Sequence, residues 1–276
     1  MKYRFVFVCQ GGEIEIKASL LAVTLKKFLK CDYELVAAVP SGDLVDQPSQ
    51  EVIDYLQHLG VQIHAIANPL DSTYLIGHKL ACLAIPNDVD KVIFLDSDIL
   101  CLKDFYHQSR FEDYQLNAKL EDWHHHELQH WQILCDGLGL DHLPIDHKST
   151  VFNEPMPLYF NAGWVAVNAQ KSADLAKTWI NIANVVDTSI DIPRLRPNLD
   201  QLTLPLAVLQ ERLSIDLLTE DFNYPAELRS LDPNALPFFC HYHDPHMILC
   251  DAVLTDLVRD LILDSPQLAS IMRPSN

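Results

Sequence analysis

Two aspartates separated by one serine, Asp96-Ser97-Asp98, close the apolar run Val92-Ile93-Phe94-Leu95. Side chains one residue apart at the end of an extended strand leave on the same side, so one carboxylate can hold a divalent cation while the other holds the ion or its water. Oxygen ligands suit Mg²⁺ or Mn²⁺, ions that keep positions open for phosphate oxygens. The plainer alternative is that both acids end the strand and cap the turn after it. A second concentration of candidate ligands is His124-His125-His126-Glu127 with His130, in which His126 and His130 are spaced to share one face of a helix. No paired cysteines and no third ligand at a zinc-like spacing accompany them, which favours a solvated polar loop.

Periodicity supplies the scaffold for these residues. Apolar, β-branched and aromatic runs at Tyr3 to Cys9, Glu34 to Val39, Val61 to Ile66 and Lys91 to Leu95 read as strands. Helical patterns at Ile14 to Leu29, Gln50 to Leu59 and Tyr74 to Ala84 lie between them. Such alternation calls for an α/β fold with a mostly parallel sheet covered on both faces. In such sheets ligands sit beyond the carboxyl ends of the strands, where Asp96 and Asp98 fall. Further strands are expected at Gln115 to Leu120, at Leu158 to Val167 with an interruption at Asn161-Ala162-Gly163, and at Phe238 to His243. Helices are expected at Ala169 to Val185 and Leu199 to Arg212, with a closing helix from Met247 to Leu263.

Composition narrows the function classes. With 276 residues, 49% of them hydrophobic, the chain can bury a full core, and no linker-like stretch divides it, so one domain over 1–276 is expected. A net charge of −18 opposes nonspecific binding of nucleic acid or an anionic membrane surface. A phosphate ester held inside so acidic a protein needs local positive charge, and a bound divalent cation is one source. Seven cysteines, scattered singly, read as buried free thiols. The short apolar stretch after Met1-Lys2-Tyr3-Arg4 does not make a signal-peptide core, and no run of about 18 apolar residues could span a bilayer. A cytoplasmic setting is the expectation.

The segment Lys91-Val92-Ile93-Phe94-Leu95-Asp96-Ser97-Asp98-Ile99-Leu100 resembles the D-x-D strand of GT-A glycosyltransferases, above all glycosyltransferase family 8, the glycogenin and lipopolysaccharide galactosyltransferase group. Gln10-Gly11-Gly12-Glu13 resembles that family's first loop, along the nucleotide base, and Lys79 is similar in placement to a basic residue that contacts the donor. Phe160-Asn161-Ala162-Gly163 resembles its F-N-A-G segment beside the sugar, and Asn198-Leu199-Asp200-Gln201 its D-Q segment. His241, after Pro237-Phe238-Phe239-Cys240, looks like the histidine that serves as third metal ligand.

The resemblance implies a GT-A fold and a hexosyltransferase that takes its sugar from a nucleotide-sugar donor, a UDP-sugar, with retention of configuration. Mn²⁺ or Mg²⁺ would be held by Asp96, Asp98 and His241. Asp200, Gln201 and Asn161 are the candidate catalytic residues, with an N-cap as the other reading of Asp200. Gln10, Gly11, Lys79, Ser97, Ala162 and Gly163 would contact the donor. Residues of about 1–110 would bind the nucleotide sugar, and about 111–276 would shape the acceptor site. Apart from the resemblance, the His-rich loop could line that site, with Trp123 or Trp131 offering an aromatic face to a sugar ring, and buried packing is the other reading of both. The acceptor itself, carbohydrate, lipid-linked or protein, is left open.

One departure stands out. The family follows its histidine with a glycine and a lysine-bearing stretch that clamps the diphosphate, whereas this chain reads His241-Tyr242-His243-Asp244-Pro245-His246-Met247. His243 or His246 could supply the donor in its place, Lys79 or an arginine could reach across, and His243 competes with His241 as a metal ligand. A weakened site would leave a nucleotide-sugar-binding module without turnover. A sugar nucleotidyltransferase is the other rival, but it should carry a basic Gly-rich loop after the first strand, where this chain has only Gln10-Gly11-Gly12-Glu13.

Overall fold

The computed structural model describes residues 1–42, 45–71, 73–105, 111–123, 126–192 and 195–272. The first half runs β1 (Lys2–Val8), α1 (Glu13–Phe28), β2 (Asp32–Pro40), α2 (Gln50–His58), β3 (Val61–Ile66), α3 (His78–Cys82) and β4 (Lys91–Leu95). It continues with β5 (Ile99–Cys101), β6 (Leu116–Leu120), α4 (Leu128–Leu138), β7 (His147–Lys148), β8 (Pro155–Met156) and β9 (Phe160–Asn168). Then come α5 (Ala169–Ser189), α6 (Leu199–Gln210), β10 (Ile215–Leu218), β11 (Tyr224–Pro225) and β12 (Phe239–His241). Three helices follow: α7 (Pro245–Cys250), α8 (Ala252–Asp264) and α9 (Pro266–Ile271).

Seven strands form the main sheet in the order β10-β6-β9-β4-β1-β2-β3. All neighbours are parallel except at β9, which runs antiparallel to both β4 and β6. The fold is thus α/β with a mixed, mostly parallel sheet flanked by helices. Successive strand residues feed opposite faces: Phe5, Phe7, Ile93 and Leu95 belong to one apolar core, Val6, Val92 and Phe94 to the other. Both faces are buried, which is why these strands read as unbroken apolar runs instead of alternating ones. A smaller sheet, β11-β12-β5, lies at the edge where β4 ends.

Several elements differ from expectation for local reasons. Tyr74 to Ala84 is a 3₁₀ turn at Leu75–Gly77 followed by the short α3. β9 runs through Asn161-Ala162-Gly163 without interruption, and the irregularity falls instead in its register with β6, between Ala118 and Leu120. The closing helix breaks in two because the Asp251 carboxylate accepts from Val253 N–H and Leu254 N–H, which starts a new helix there. The expected polar loop becomes helix at Leu128, so His130 is helical, while His124 and His125 lie outside the described residues.

Candidate active site

The chain does not stay extended past β4. The Ile99 N–H donates back to the Asp96 carbonyl (3.2 Å), closing a turn that sends β5 out of the main sheet. β5 then pairs antiparallel with β12, placing His241 opposite Ile99, and the Tyr242 N–H donates to the Asp98 carbonyl (3.0 Å). This pairing carries His241 to Asp98 across the sequence, with Nε2 3.0 Å from Asp98 Oδ1. The His243 ring stacks on His241 at 3.7 Å between centroids.

Asp98, His241 and His243 each offer one ligand atom within 4.8 Å of the others, the only such group among the described residues. Asp96, expected as a ligand, falls outside that group: its Oδ2 accepts from Lys79 Nζ (3.0 Å). The turn at Ser97 rotates the two carboxylates apart, one toward β12 and one toward α3, and Ser97 Oγ itself donates to the Val8 carbonyl. The donor set fits a divalent cation, since one carboxylate and two imidazoles converge and Gly163 keeps the space open. A Cβ built on Gly163 would lie 2.7 Å from His241 Cε1 and 2.9 Å from Asp96 Oδ2.

The other end of the cleft is built on α3 and α6. Lys79 Nζ also pairs with Asp200 Oδ2 (2.9 Å), and Asp200 Oδ1 accepts from the Tyr74 hydroxyl (3.0 Å). Asp200 lies in the first turn of α6, whose N-cap is Asn198, so it is an ion-paired wall of the cleft and not the cap. Asn161 Oδ1 accepts from the Gly163 N–H (3.0 Å) and from Asn223 Nδ2 (2.8 Å), and Asn223 Oδ1 faces His241 Nδ1 (3.1 Å). Gln201 Nε2 donates to Glu121 Oε2, while Glu121 Oε1 accepts from the Asp122 N–H (2.8 Å) and lies 3.5 Å from Asn161 Nδ2. Because Glu121 binds the –NH₂ of Gln201, the Gln201 carbonyl oxygen is left to face away from it.

Charge follows from these contacts. Burial works against the ionised form of Asp98, but His241 outweighs it and holds the carboxyl well below its ordinary range. Burial would lower His241, and Asp98 overrides it, so the imidazole is raised. His243 is pushed down to about 3 by burial and by its neighbour His241, leaving it a neutral ring with a free lone pair. Burial raises the Asp96 carboxyl. Burial opposes the charge on Lys79, but Asp200 and Asp96 more than restore it. Glu121, buried beside Asp122, is raised to about 7.

One cleft of about 480 Å³ is lined by Gln10, Lys79, Asp96, Ser97, Asp98, Asn161, Asp200, Gln201, His241 and His243 among the expected residues. Four others lie off its lining. Gly11 turns to the Asp46 carbonyl (2.7 Å), Ala162 is buried inside β9, Gly163 sits under His241, and His246 is exposed on α7 with its ring 3.2 Å from Cys250 Sγ. Two functional candidates escaped sequence reasoning. Lys17 on α1 donates to the His243 carbonyl (2.7 Å) with its Nζ 3.8 Å from Asp98 Oδ2. Glu121 carries the same signal as Asp96, an acid just past a strand at the ligand-binding edge.

Comparison with known proteins fits this architecture. The model of a Rhodobacterales glycosyltransferase domain matches residues 5–211. No curated protein matches the chain in sequence. Among solved structures, galactosyltransferase LgtC with donor and acceptor sugar analogs superposes at TM-score 0.59 and 14% identity, over 100% of this chain and 98% of LgtC. Mouse xyloside xylosyltransferase 1 gives 0.54 at 13% identity, over 88% and 98%. Apo GlyE of Streptococcus pneumoniae TIGR4 gives 0.54 at 15%, over 89% of this chain but 55% of GlyE. At these identities the likeness is one of fold, the GT-A fold.

Proposed function

Since the chain belongs to the Rhodobacterales glycosyltransferase domain family, we propose that it transfers a hexose from a UDP-sugar to an acceptor, with retention of configuration and with Mn²⁺ or Mg²⁺ bound at Asp98, His241 and His243. The observation that carries this reading is the convergence of those three side chains on the same cleft as the Lys79–Asp200 pair. Two imidazoles beside one carboxylate favour Mn²⁺ over Mg²⁺. When bound, the ion would stabilise the charge that builds on the departing diphosphate. Two further carboxylates stand by: Asp96 lines the same cleft, and Glu227 Oε1 lies 3.6 Å from His243 Nε2.

The rest falls to the chain's own groups. Lys17 places an ammonium 3.8 Å from Asp98, a positive charge that could serve in place of the missing C-terminal lysine and so supports turnover over a binding-only module. Asp200, fixed by Lys79 and Tyr74, presents negative charge toward the far side of the donor sugar, and Gln201 and Asn161 present amides whose orientation Glu121 sets. Residues of about 1–110 hold the nucleotide sugar and about 111–276 shape the acceptor side within one domain. The seven cysteines, all unpaired, support action in a reducing compartment, the cytoplasm, which fractionation of the native cells would check.

Thermal unfolding with UDP, UDP-glucose, UDP-galactose and GDP-mannose, each with and without Mn²⁺, tests the reading. A UDP compound and Mn²⁺ together should stabilise by about 2.7 kcal/mol at a hundredfold excess over Kd, far more than either alone. Asp98→Asn should abolish the joint shift and lower transfer by about 10²–10³. A joint shift that survives Asp98→Asn, or nucleotide binding indifferent to the metal, would overturn the proposal.

A further inference from the structure

Beyond the cleft, the loop after β6 carries an exposed aromatic pair. Trp123 and Phe152 are 49% and 52% exposed, and their rings meet at 6.1 Å with a tilt of 42°. The pair is held from below. The N–H groups of Val151 and Phe152 both donate to the Asp122 carbonyl (3.2 Å), and the Thr150 hydroxyl donates to the Asp122 carboxylate (2.6 Å), which also pairs with buried Lys119. Phe152 sits in the link of residues 149–154 between β7 and β8, turned there by Asn153 at φ 58°, an unusual conformation for a residue with a side chain. Trp131, the other tryptophan considered from sequence, is buried against Tyr159.

The pair also lies close along the chain to a residue that holds the cleft wall. Trp123 follows Glu121 by two residues, at most about 7 Å of chain, and Glu121 holds Gln201, which lines the cleft. An exposed aromatic surface matches the apolar C–H face of a pyranose ring, whose rim of hydroxyls can stay in water. An acyl chain would gain more from an enclosed groove than from an open ledge. Resting on the glycosyltransferase reading, we propose that Trp123 and Phe152 form an acceptor subsite that stacks a sugar ring, so that the acceptor is a carbohydrate.

The molecule supplies its own reporter. Of its four tryptophans, Trp131, Trp164 and Trp179 are 3%, 0% and 0% exposed, so fluorescence accessible to acrylamide belongs to Trp123. The full chain is titrated with maltose, cellobiose, lactose and N,N′-diacetylchitobiose into the millimolar range, and in parallel with phosphatidylcholine vesicles. At least one disaccharide should shield Trp123 from acrylamide, and Phe152→Ala, which keeps the reporter, should weaken that affinity about tenfold. The UDP and Mn²⁺ stabilisation should be the same in Phe152→Ala as in wild type, so a failure of donor binding is read separately from a failure of this subsite. Shielding by vesicles alone, by no sugar, or by sugar with unchanged affinity in Phe152→Ala would overturn the inference.

Discussion

The two ends of the cleft are finished to different degrees. At the Asp200 end, nearly every polar atom already has a partner within the protein: Asp200 has Lys79 and Tyr74, Gln201 has Glu121, and Asn161 has Gly163 and Asn223. At the Asp98 end, a carboxylate faces a raised imidazole, and a neutral imidazole stacks on that one with its lone pair to spare. The first arrangement is preorganised and needs nothing from outside. The second leaves ligand atoms uncommitted, which on the proposed function a cation would take together with the diphosphate. The Asp98 end should therefore govern whether donor and metal bind together, and the Asp200 end what happens once they have.

The largest effect that could break this division is at Asp200. Asp200→Asn should leave the joint stabilisation by UDP and Mn²⁺ near its wild-type size while transfer falls by about 10³, measured as UDP release at saturating donor. If the joint shift vanishes too, the two ends are one unit. A somewhat smaller effect is expected at Gly163, which stands between them. In Gly163→Ala the new methyl meets His241 at 2.7 Å and Asp96 at 2.9 Å, so unfolding free energy should drop by about 3 kcal/mol, the upper range for overpacking. Denaturant titration would show it, and a loss under about 1 kcal/mol would mean that His241 moves freely and the Asp98 end is looser than described.

Legibility in the sequence follows the same division. Strand β4 and the Asp96-Ser97-Asp98 turn announce themselves, because a strand covered on both faces must be apolar throughout and can turn acidic only where it leaves the core. The strand and helix pattern of the first half is readable for the same reason: both faces of its sheet are buried. What sequence does not carry is the β5–β12 pairing, in strands of three residues each. That pairing decides which carboxylate meets His241, a choice that the spacing of Asp96 and Asp98 alone leaves open. Lys17 is invisible because a lysine in an amphipathic helix is ordinarily solvated, and only the fold of the His243 segment over α1 buries it. The site histidine is legible by resemblance alone.

Glu121 gives the smallest effect and the one that most sharpens the comparison. Its carboxyl is raised from 4.5 to about 7, first by burial and then by Asp122. Between those values the folded protein holds a proton that the unfolded chain has released, so the Glu121 contribution to stability is greatest below pH 4.5 and is lost as pH rises through 7. Glu121→Gln removes this proton exchange. Relative to the variant, wild type should lose on the order of 2 kcal/mol between pH 5 and pH 8, seen in paired urea titrations. Equal pH dependence in the two proteins would show that Glu121 is ionised throughout. The substitution also tests orientation, because a glutamine amide facing Gln201 must either place its own oxygen there or turn the Gln201 amide around. Transfer should then fall with the donor and Mn²⁺ shift intact, since the carbonyl that wild type leaves facing away from Glu121 belongs to the preorganised end and not to the end proposed to hold the cation.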